Sequence, residues 1–337
     1  MRVLVADKFD AAGIEAMTVA GATVLCEPAA GASGLGVALA RHAPEVLIVR
    51  SSTVAAEAIR SAPRLRGIVR AGAGVDNIDL DAATAAGVLV SNCPGMNAAS
   101  VAELVLGLMI ACDRRIVDQT SELRAGRWNK KEYGTRARGL KGSTLGVVGP
   151  GAIGQEVIRR AKAFEMDIVG WTPFWTAADA QRLGVRFGGT DRPALLRMLP
   201  QCDAITVHVP LSPQTRHLCN AEFFAAMKPG ATFINTSRGG VVDEGALRQA
   251  AAAKGLRCGL DVYENQPSTS QAEWATLTTA LPGSAFTHHC GAGTAEAQRA
   301  VAIEAARQVA EFMRNGRLPN CVNPQAKAPA TPAAQPV

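Results

Sequence analysis

The segment from Thr144 to Phe164 restricts the possible folds more than any other part of this 337-residue chain. Thr144-Leu145-Gly146-Val147-Val148 is an apolar, β-branched run that enters Gly149-Pro150-Gly151-Ala152-Ile153-Gly154, and Gln155 to Phe164 continues with helical spacing. A Gly-x-Gly-x-x-Gly loop is weak evidence alone. Placed between a strand and a helix, with another strand at Ile168 to Trp171, it marks the first βαβ turn of a dinucleotide-binding sheet. Its glycines allow a tight turn and let a pyrophosphate approach the backbone, where the helix N-terminus supplies free N–H groups and a partial positive charge. Gly149, Gly151, Ala152, Ile153 and Gly154 are thus candidate cofactor contacts.

The rest of the chain has the same rhythm. Short β-branched runs alternate with Ala-rich helical stretches, the pattern of an α/β protein with parallel sheets. A first series places strands at Arg2 to Ala6, Thr23 to Leu25, Val46 to Val49, Gly67 to Arg70 and Val88 to Val90. A second places them at Thr144 to Val148, Ile168 to Trp171, Ala204 to Val209, Thr232 to Asn235, Arg257 to Val262 and Ala285 to Thr287. Asp243 to Lys254 reads as a helix capped by Asp243 and ended by Gly255. The long helical stretch Thr294 to Met313 follows the last strand and is assigned back to the first lobe. The expected organisation is therefore a discontinuous substrate domain, 1–98 with 292–322, a cofactor domain at 99–291, and a cleft between them. The Ala- and Pro-rich tail, 323–337, has little to bury and is expected to be disordered.

Charge and cysteine usage exclude other classes. Thirty-five Lys and Arg against 29 Asp and Glu give a net charge of +6, but the basic residues are scattered, with no tract for nucleic acid or a membrane surface. The eight cysteines never approach CxxC spacing and no signal peptide precedes them, so they read as reduced thiols of a cytoplasmic protein without a metal site. The longest apolar run, Leu104 to Cys112, is too short to span a bilayer and reads as a buried helix. The helix from Val101 to Cys112 is also the candidate element for a homodimer interface.

Three later blocks carry chemistry: Asn235-Thr236-Ser237-Arg238-Gly239-Gly240, Asp261-Val262-Tyr263-Glu264-Asn265-Gln266-Pro267, and Thr287-His288-His289-Cys290-Gly291. Each begins or ends at the C-terminal tip of a predicted strand, where open α/β sheets bind ligands. An arginine there grips a carboxylate with two hydrogen bonds, and a histidine exchanges a hydroxyl proton while hydride moves to or from a nicotinamide. That set suits a 2-hydroxy acid and 2-keto acid pair. The strand after the glycine loop ends in Thr172-Pro173, where an acid normally meets the ribose of NAD. Threonine keeps one hydrogen bond and removes the repulsion against a 2′-phosphate, so NAD is preferred and NADP stays open.

Together with Ala71-Gly72-Ala73-Gly74-Val75-Asp76-Asn77 and Asn97-Ala98-Ala99-Ser100-Val101-Ala102-Glu103, these blocks make the chain resemble the D-isomer-specific 2-hydroxyacid dehydrogenase family, to about Val322. The resemblance implies two Rossmann- or flavodoxin-like lobes with the active site between them. It implies that Arg238 binds the substrate carboxylate, that His289 is the acid/base, and that Ala73, Gly74, Val75, Ser51 and Asn97 meet the substrate. Val101, His208, Val209, Pro210, Thr215, Thr236, Ser237, Asp261 and Gly291 fall where the family contacts its cofactor. One departure matters: the family's Glu beside this histidine is replaced by Gln266. An amide can orient the ring through its oxygen but cannot stabilise imidazolium by charge, so the histidine pKa is expected to fall.

Within the family, Ile48-Val49-Arg50-Ser51-Ser52-Thr53 and Val69-Arg70 are similar to D-3-phosphoglycerate dehydrogenase. Arg50 and Arg70 both end first-lobe strands, and a phosphate dianion needs more than one cation. The expected substrate is a small anionic acid, 3-phosphoglycerate first, with no regulatory domain following the last helix. Other readings are a different D-2-hydroxyacid dehydrogenase, a hydroxypyruvate or glyoxylate reductase, or an NAD-responsive binding protein of the same fold.

Overall fold

The computed structural model describes residues 1–28, 31–135, 137–267 and 271–326. They form two units, Met1–Asn97 with the chain from Thr294 onward, and Ala98–Gly293. Both are α/β with wholly parallel sheets.

In the first unit, β1 (Arg2–Val5), β2 (Thr23–Cys26), β3 (Val46–Val49), β4 (Gly67–Arg70) and β5 (Leu89–Asn92) pair in the order β2-β1-β3-β4-β5. This is the flavodoxin-like order, and its switch point lies between β1 and β3. Both faces of the sheet are covered, so the strands are nearly continuous apolar runs. Leu4, Leu47, Ile68 and Val90 face one core with Leu35 and Leu39. Val3, Val5, Ile48 and Val69 face the other, against Met17 and the Ala295–Asn315 helix through Val301, Ala305, Val309 and Phe312. That helix starts at Thr294, whose hydroxyl accepts the Ala297 N–H at 3.2 Å, and stops at Gly316 with φ +71°. Gln308, fully buried on its inner side, accepts from Ser91 Oγ at 2.7 Å and donates to the Asn92 carbonyl at 2.8 Å.

The second unit has β6 (Thr144–Val148), β7 (Asp167–Trp171), β8 (Arg186–Phe187), β9 (Ala204–Val207), β10 (Thr232–Asn235), β11 (Arg257–Leu260) and β12 (Ala285–Phe286) in the order β12-β11-β10-β9-β6-β7-β8. The order reverses between β6 and β9, which places the glycine loop and the tips of β9 to β12 at one edge of the sheet. β8 has only two residues and no β-branched run to announce it. One core contains Phe223, Phe224 and Phe233, packed edge to face with centroids 5.1 to 6.1 Å apart. Asp243 caps the Glu244–Lys254 helix by accepting the Ala246 N–H, and Gly255 ends it with φ +66°, as read from the sequence.

Two expectations need correction. The Ala98–Arg114 helix does not offer Val101 to Cys112 as a dimer face: Val101, Ala102, Val105, Leu106, Leu108, Met109 and Cys112 are all buried, most of them in a core with Val157, Ile158 and Ile234 of the same unit. Nor does disorder begin at Asn323. That side chain is buried, takes the Val90 N–H at 2.7 Å and donates to the Val88 carbonyl at 2.9 Å and Thr84 Oγ1 at 3.1 Å, while Val322 N–H meets the Val90 carbonyl. Residues after Ala326, the rest of the expected tail, lie outside the described residues. A buried amide lost with its partners left behind costs about 1–3 kcal/mol. Asn323→Ala should therefore lower first-unit stability by about 2 kcal/mol in urea denaturation, and an unchanged midpoint would show that this anchor contributes nothing.

Candidate active site

The glycine loop leaves β6 through Gly149, whose φ of +83° and surroundings both exclude a side chain: a Cβ there would lie 2.8 Å from Val209 Cγ1 and 3.0 Å from the His208 carbonyl oxygen. Gly154 packs its α-carbon against the loop itself, with a Cβ position 2.9 Å from the Gly149 oxygen. Gly151 differs, since nothing lies within 4 Å of its missing side chain. It is also the N-cap of the Ala152–Ala163 helix, with no side-chain cap, and the N–H groups of Ala152 and Ile153 have no acceptor among the described residues. This arrangement fits a pyrophosphate.

Neighbouring strand tips add unfilled polar atoms. His208 Nε2 lies 2.9 Å from Thr206 Oγ1, while its Nδ1 is buried without a partner among the described residues, as is Thr236 Oγ1. Burial pushes the His208 pKa down to about 3, so the ring is neutral at physiological pH. Val209 is buried and Pro210 exposed; Thr215 Oγ1 closes the following turn by accepting the Ser212 N–H and donating to the Pro210 carbonyl. At the tip of β7, Thr172 is buried, its hydroxyl accepts the Phe174 N–H at 3.4 Å, and Pro173 beside it is exposed. The open glycine and the orphaned buried atoms suit a dinucleotide.

The tips of β10, β11 and β12 are locked together. Asn235 Oδ1 accepts from the Ser237 N–H and Oγ, and its Nδ2 donates to the Arg238 carbonyl, which fixes the Arg238 turn. Arg238 is half-buried. A Cβ on Gly239 would lie 1.9 Å from the Tyr263 oxygen, so only glycine lets this turn rest on the Tyr263–Glu264 peptide. Tyr263 N–H donates to Gln266 Oε1 at 3.1 Å, and Gln266 Nε2 lies 2.7 Å from His289 Nδ1. The His289 loop hangs on Asp261, which is buried: Oδ1 accepts from Thr287 Oγ1 and the Cys290 N–H, Oδ2 from the Gly291 N–H, and the Asp261 carbonyl from the His289 N–H at 2.7 Å. Ser100 Oγ donates to the Gly291 carbonyl at 2.6 Å, and Val101 is buried on the same helix. His289 has φ +52° and is exposed. Glu264 pairs with His217 at 2.6 Å, and Glu244 accepts from the Glu264 N–H and the Thr278 hydroxyl, so neither carboxylate is the partner of His289 at Nδ1.

In the first unit, the loop after β3 is organised by Asp7, which sequence reading missed. Its Oδ2 accepts the N–H groups of Arg50 at 2.6 Å and of Ser51 and Ser52 at 3.1 Å, and its Oδ1 accepts both serine hydroxyls. The Arg50 guanidinium has no ion-pair partner among the described residues. Arg70 folds back over Gly72, where a Cβ would lie 1.5 Å from its Nη1. Beyond it, the N–H groups of Ala73, Gly74 and Val75 donate to nothing among the described residues, and Asn92 Nδ2 holds the Ala73 carbonyl. Asn77 Nδ2 donates to the Ser52 carbonyl at 2.7 Å and ties the two arginine loops together. Asn97, last of this unit's first segment, is buried, and its Oδ1 has no partner among the described residues. Thus Arg50, Ser51, Arg70 and residues 73–75 form one group, and Arg238, Gln266, His289, Asp261 and Gly291 another. Asp7 and Tyr263 were missed because their roles rest on pairing between strands and on a main-chain donor.

Among the described residues no His, Cys, Asp and Glu group could hold a metal, and no helix is long and apolar enough to cross a membrane. Comparison with known proteins matches residues 106–291 to the D-isomer-specific 2-hydroxyacid dehydrogenase NAD-binding domain. A D-3-phosphoglycerate dehydrogenase of Methanocaldococcus jannaschii is 41% identical over 281 residues, 83% of this chain and 52% of that protein, so the chain spans about half the length of that relative. A hydroxypyruvate reductase of Thermotoga maritima is 43% identical over 267 residues, 79% of this chain and 83% of the other. The NAD+-bound 3-phosphoglycerate dehydrogenase of Entamoeba histolytica superposes with TM-score 0.78 at 26% identity, covering 96% of this chain and 98% of the other. If the glycine loop seats the dinucleotide, Gly149→Ala, which adds a side chain at positive φ where no space exists, should weaken NADH binding at least about tenfold. Nicotinamide fluorescence titration checks this, and unchanged affinity would contradict it.

Proposed function

The chain belongs to the D-isomer-specific 2-hydroxyacid dehydrogenase family, and from that premise we propose that it moves hydride between NAD and a small anionic D-2-hydroxy acid. Bound nicotinamide supplies the hydride acceptor or donor. In the second unit Arg238 is assigned to the substrate carboxylate and His289 to the reacting oxygen; in the first unit the N–H groups of Ala73 to Val75, which have no acceptor among the described residues, are assigned as anion donors. The observation that carries this reading is the locked set of strand tips, in which the Arg238 turn rests on Tyr263 and the Tyr263–Gln266 loop touches His289.

The substrate we assign first is 3-phosphoglycerate, oxidised to 3-phosphohydroxypyruvate. The support is Arg50, a half-buried cation without an ion-pair partner among the described residues, with Arg70 on the loop tied to it. A second reading, hydroxypyruvate reduction, is favoured by one feature: the Asp7 carboxylate already fills the amide nest of Arg50, Ser51 and Ser52 that a phosphate would otherwise use. NAD is preferred, and Thr172 leaves NADP open, because no carboxylate guards the ribose 2′ position.

The finer assignments are cytoplasmic action, in keeping with eight free thiols, and a homodimer. For the dimer we assign the segment after the buried helix, where Ile116, Val117, Leu123 and Trp128 leave apolar surface exposed.

The test is NADH and NADPH absorbance with 3-phosphohydroxypyruvate, hydroxypyruvate and glyoxylate. The phosphorylated acid should have the highest kcat/KM, and Arg50→Ala should raise its KM about tenfold or more, as expected for one lost charge-assisted contact. The same variant should leave hydroxypyruvate nearly unaffected. Preference for hydroxypyruvate regardless of Arg50 would replace the first substrate by the second. Cofactor binding without turnover on any 2-keto acid would overturn the enzyme reading in favour of a binding protein.

A further inference from the structure

The loop after β3 contains an anion site that the chain fills itself. The main-chain N–H groups of Arg50, Ser51 and Ser52 converge on one oxygen, Asp7 Oδ2, at 2.6, 3.1 and 3.1 Å. Successive N–H groups aimed at one point form the kind of concavity that proteins use for phosphate and other oxyanions. Asp7 Oδ1 is occupied as well, by the hydroxyls of Ser52 at 2.9 Å and Ser51 at 3.3 Å. A carboxylate offers about four lone-pair directions, and these five donors use them up. Nothing remains for the Arg50 guanidinium, which has no ion-pair partner among the described residues although its own main-chain N–H lies on Asp7. The position of Asp7 follows from the fold: it lies just beyond β1, β1 pairs with β3, and strand order reverses between them, so the tip of one strand meets the loop of the other. The filled loop is stitched to the next one, since Asn77 Nδ2 donates to the Ser52 carbonyl at 2.7 Å and Val54 N–H to the Asn77 carbonyl at 2.8 Å. On that next loop the N–H groups of Ala73, Gly74 and Val75 have no acceptor among the described residues. Two joined loops of one unit thus carry one set of N–H groups satisfied by a resident carboxylate and one set left open.

We propose that Asp7 is a specificity-determining residue. Its carboxylate stands where a substrate phosphate would take main-chain N–H groups, so a second anionic group on the substrate is held by the Arg50 side chain alone and against a resident negative charge. The proposal rests on the reading of Arg50 given above, and it states how the chain chooses between a phosphorylated acid and hydroxypyruvate. Asp7 and Arg50 stand on adjacent strand tips with opposite charges, and a phosphate dianion meets a cation whose field is offset by the neighbouring anion. Hydroxypyruvate has no group to place there and is indifferent to that charge. Discrimination of this kind comes from a repulsive element built against one ligand, not from an added contact to the other. The same carboxylate keeps the loop in shape, because it supplies the acceptor for three N–H groups and two hydroxyls that would otherwise lack one.

The test is Asp7→Asn in the full chain, which removes the charge and keeps an acceptor oxygen for the three N–H groups. At low ionic strength it should lower the KM for 3-phosphohydroxypyruvate about fivefold or more, as expected when one repulsion near a dianion is removed, and move the KM for hydroxypyruvate by less than about twofold. The gain should shrink toward 1 M salt, where the screening length falls to about 3 Å. A loop that had merely loosened would show no such salt dependence. Asp7→Ser, which keeps a hydroxyl acceptor in a smaller side chain, should act in the same direction, so the outcome does not hang on one variant. A KM for the phosphorylated acid that stays the same or rises in both variants would overturn the proposal, as would an equal fall for both acids. Arg50→Ala measured in parallel keeps the two readings apart. An unchanged KM there removes the Arg50 reading and the proposal with it, whereas a raised KM there without a fall in Asp7→Asn removes the proposal alone.

Discussion

The Arg238–Gln266–His289 group of the second unit depends on one close approach, the α-carbon of Gly239 against the Tyr263–Glu264 peptide. A methyl group there would fall 1.9 Å from the Tyr263 oxygen, well inside van der Waals contact, so the turn that carries Arg238 exists only because residue 239 has no side chain. From that contact the geometry follows in short steps. Tyr263 is positioned by it, Gln266 hangs on the Tyr263 N–H, and Gln266 meets His289. The Arg238 turn and the His289 loop are thereby set largely by main-chain contacts, which hold geometry better than flexible side chains do.

The two sheets use one rule twice. In each, strand order reverses once, between β1 and β3 in the first unit and between β6 and β9 in the second, and the strand tips at that edge carry the polar residues. Asp7 organises one edge by accepting three N–H groups of the next loop; Gly149 and Gly151 organise the other by leaving N–H groups uncovered. The same backbone geometry can therefore be filled from within or kept open for a ligand, and a single carboxylate decides which.

Much of this was legible in the residues. The glycine loop, the alternation of strands and helices, and the return of the Ala295–Asn315 helix to the first unit all rest on local pattern, which a sequence states directly. So does the missing acid at Thr172. What could not be read depends on partners distant along the chain. The amphipathic stretch Val101 to Cys112 looks alike whether it meets a core or a second copy, and only the fold shows Val157 and Ile234 packed beside it. Asn323 reads as the start of a polar tail until Val88 and Val90 are seen to lack a strand on that side. The orientation of Gln266 is set by Tyr263 N–H, a donor that every residue but proline has and no motif records.

The central claim is that the Gly239 contact builds the reactive group while the glycine loop seats the cofactor independently. Gly239→Ala tests both halves in one protein, by measuring NADH affinity and turnover of the best 2-keto acid together. NADH affinity should stay near its original value, showing an intact second unit, while kcat falls about 100-fold or more, the scale expected when reacting groups are displaced by about an ångström. Turnover close to that of the unaltered protein, with NADH bound as before, would contradict the account.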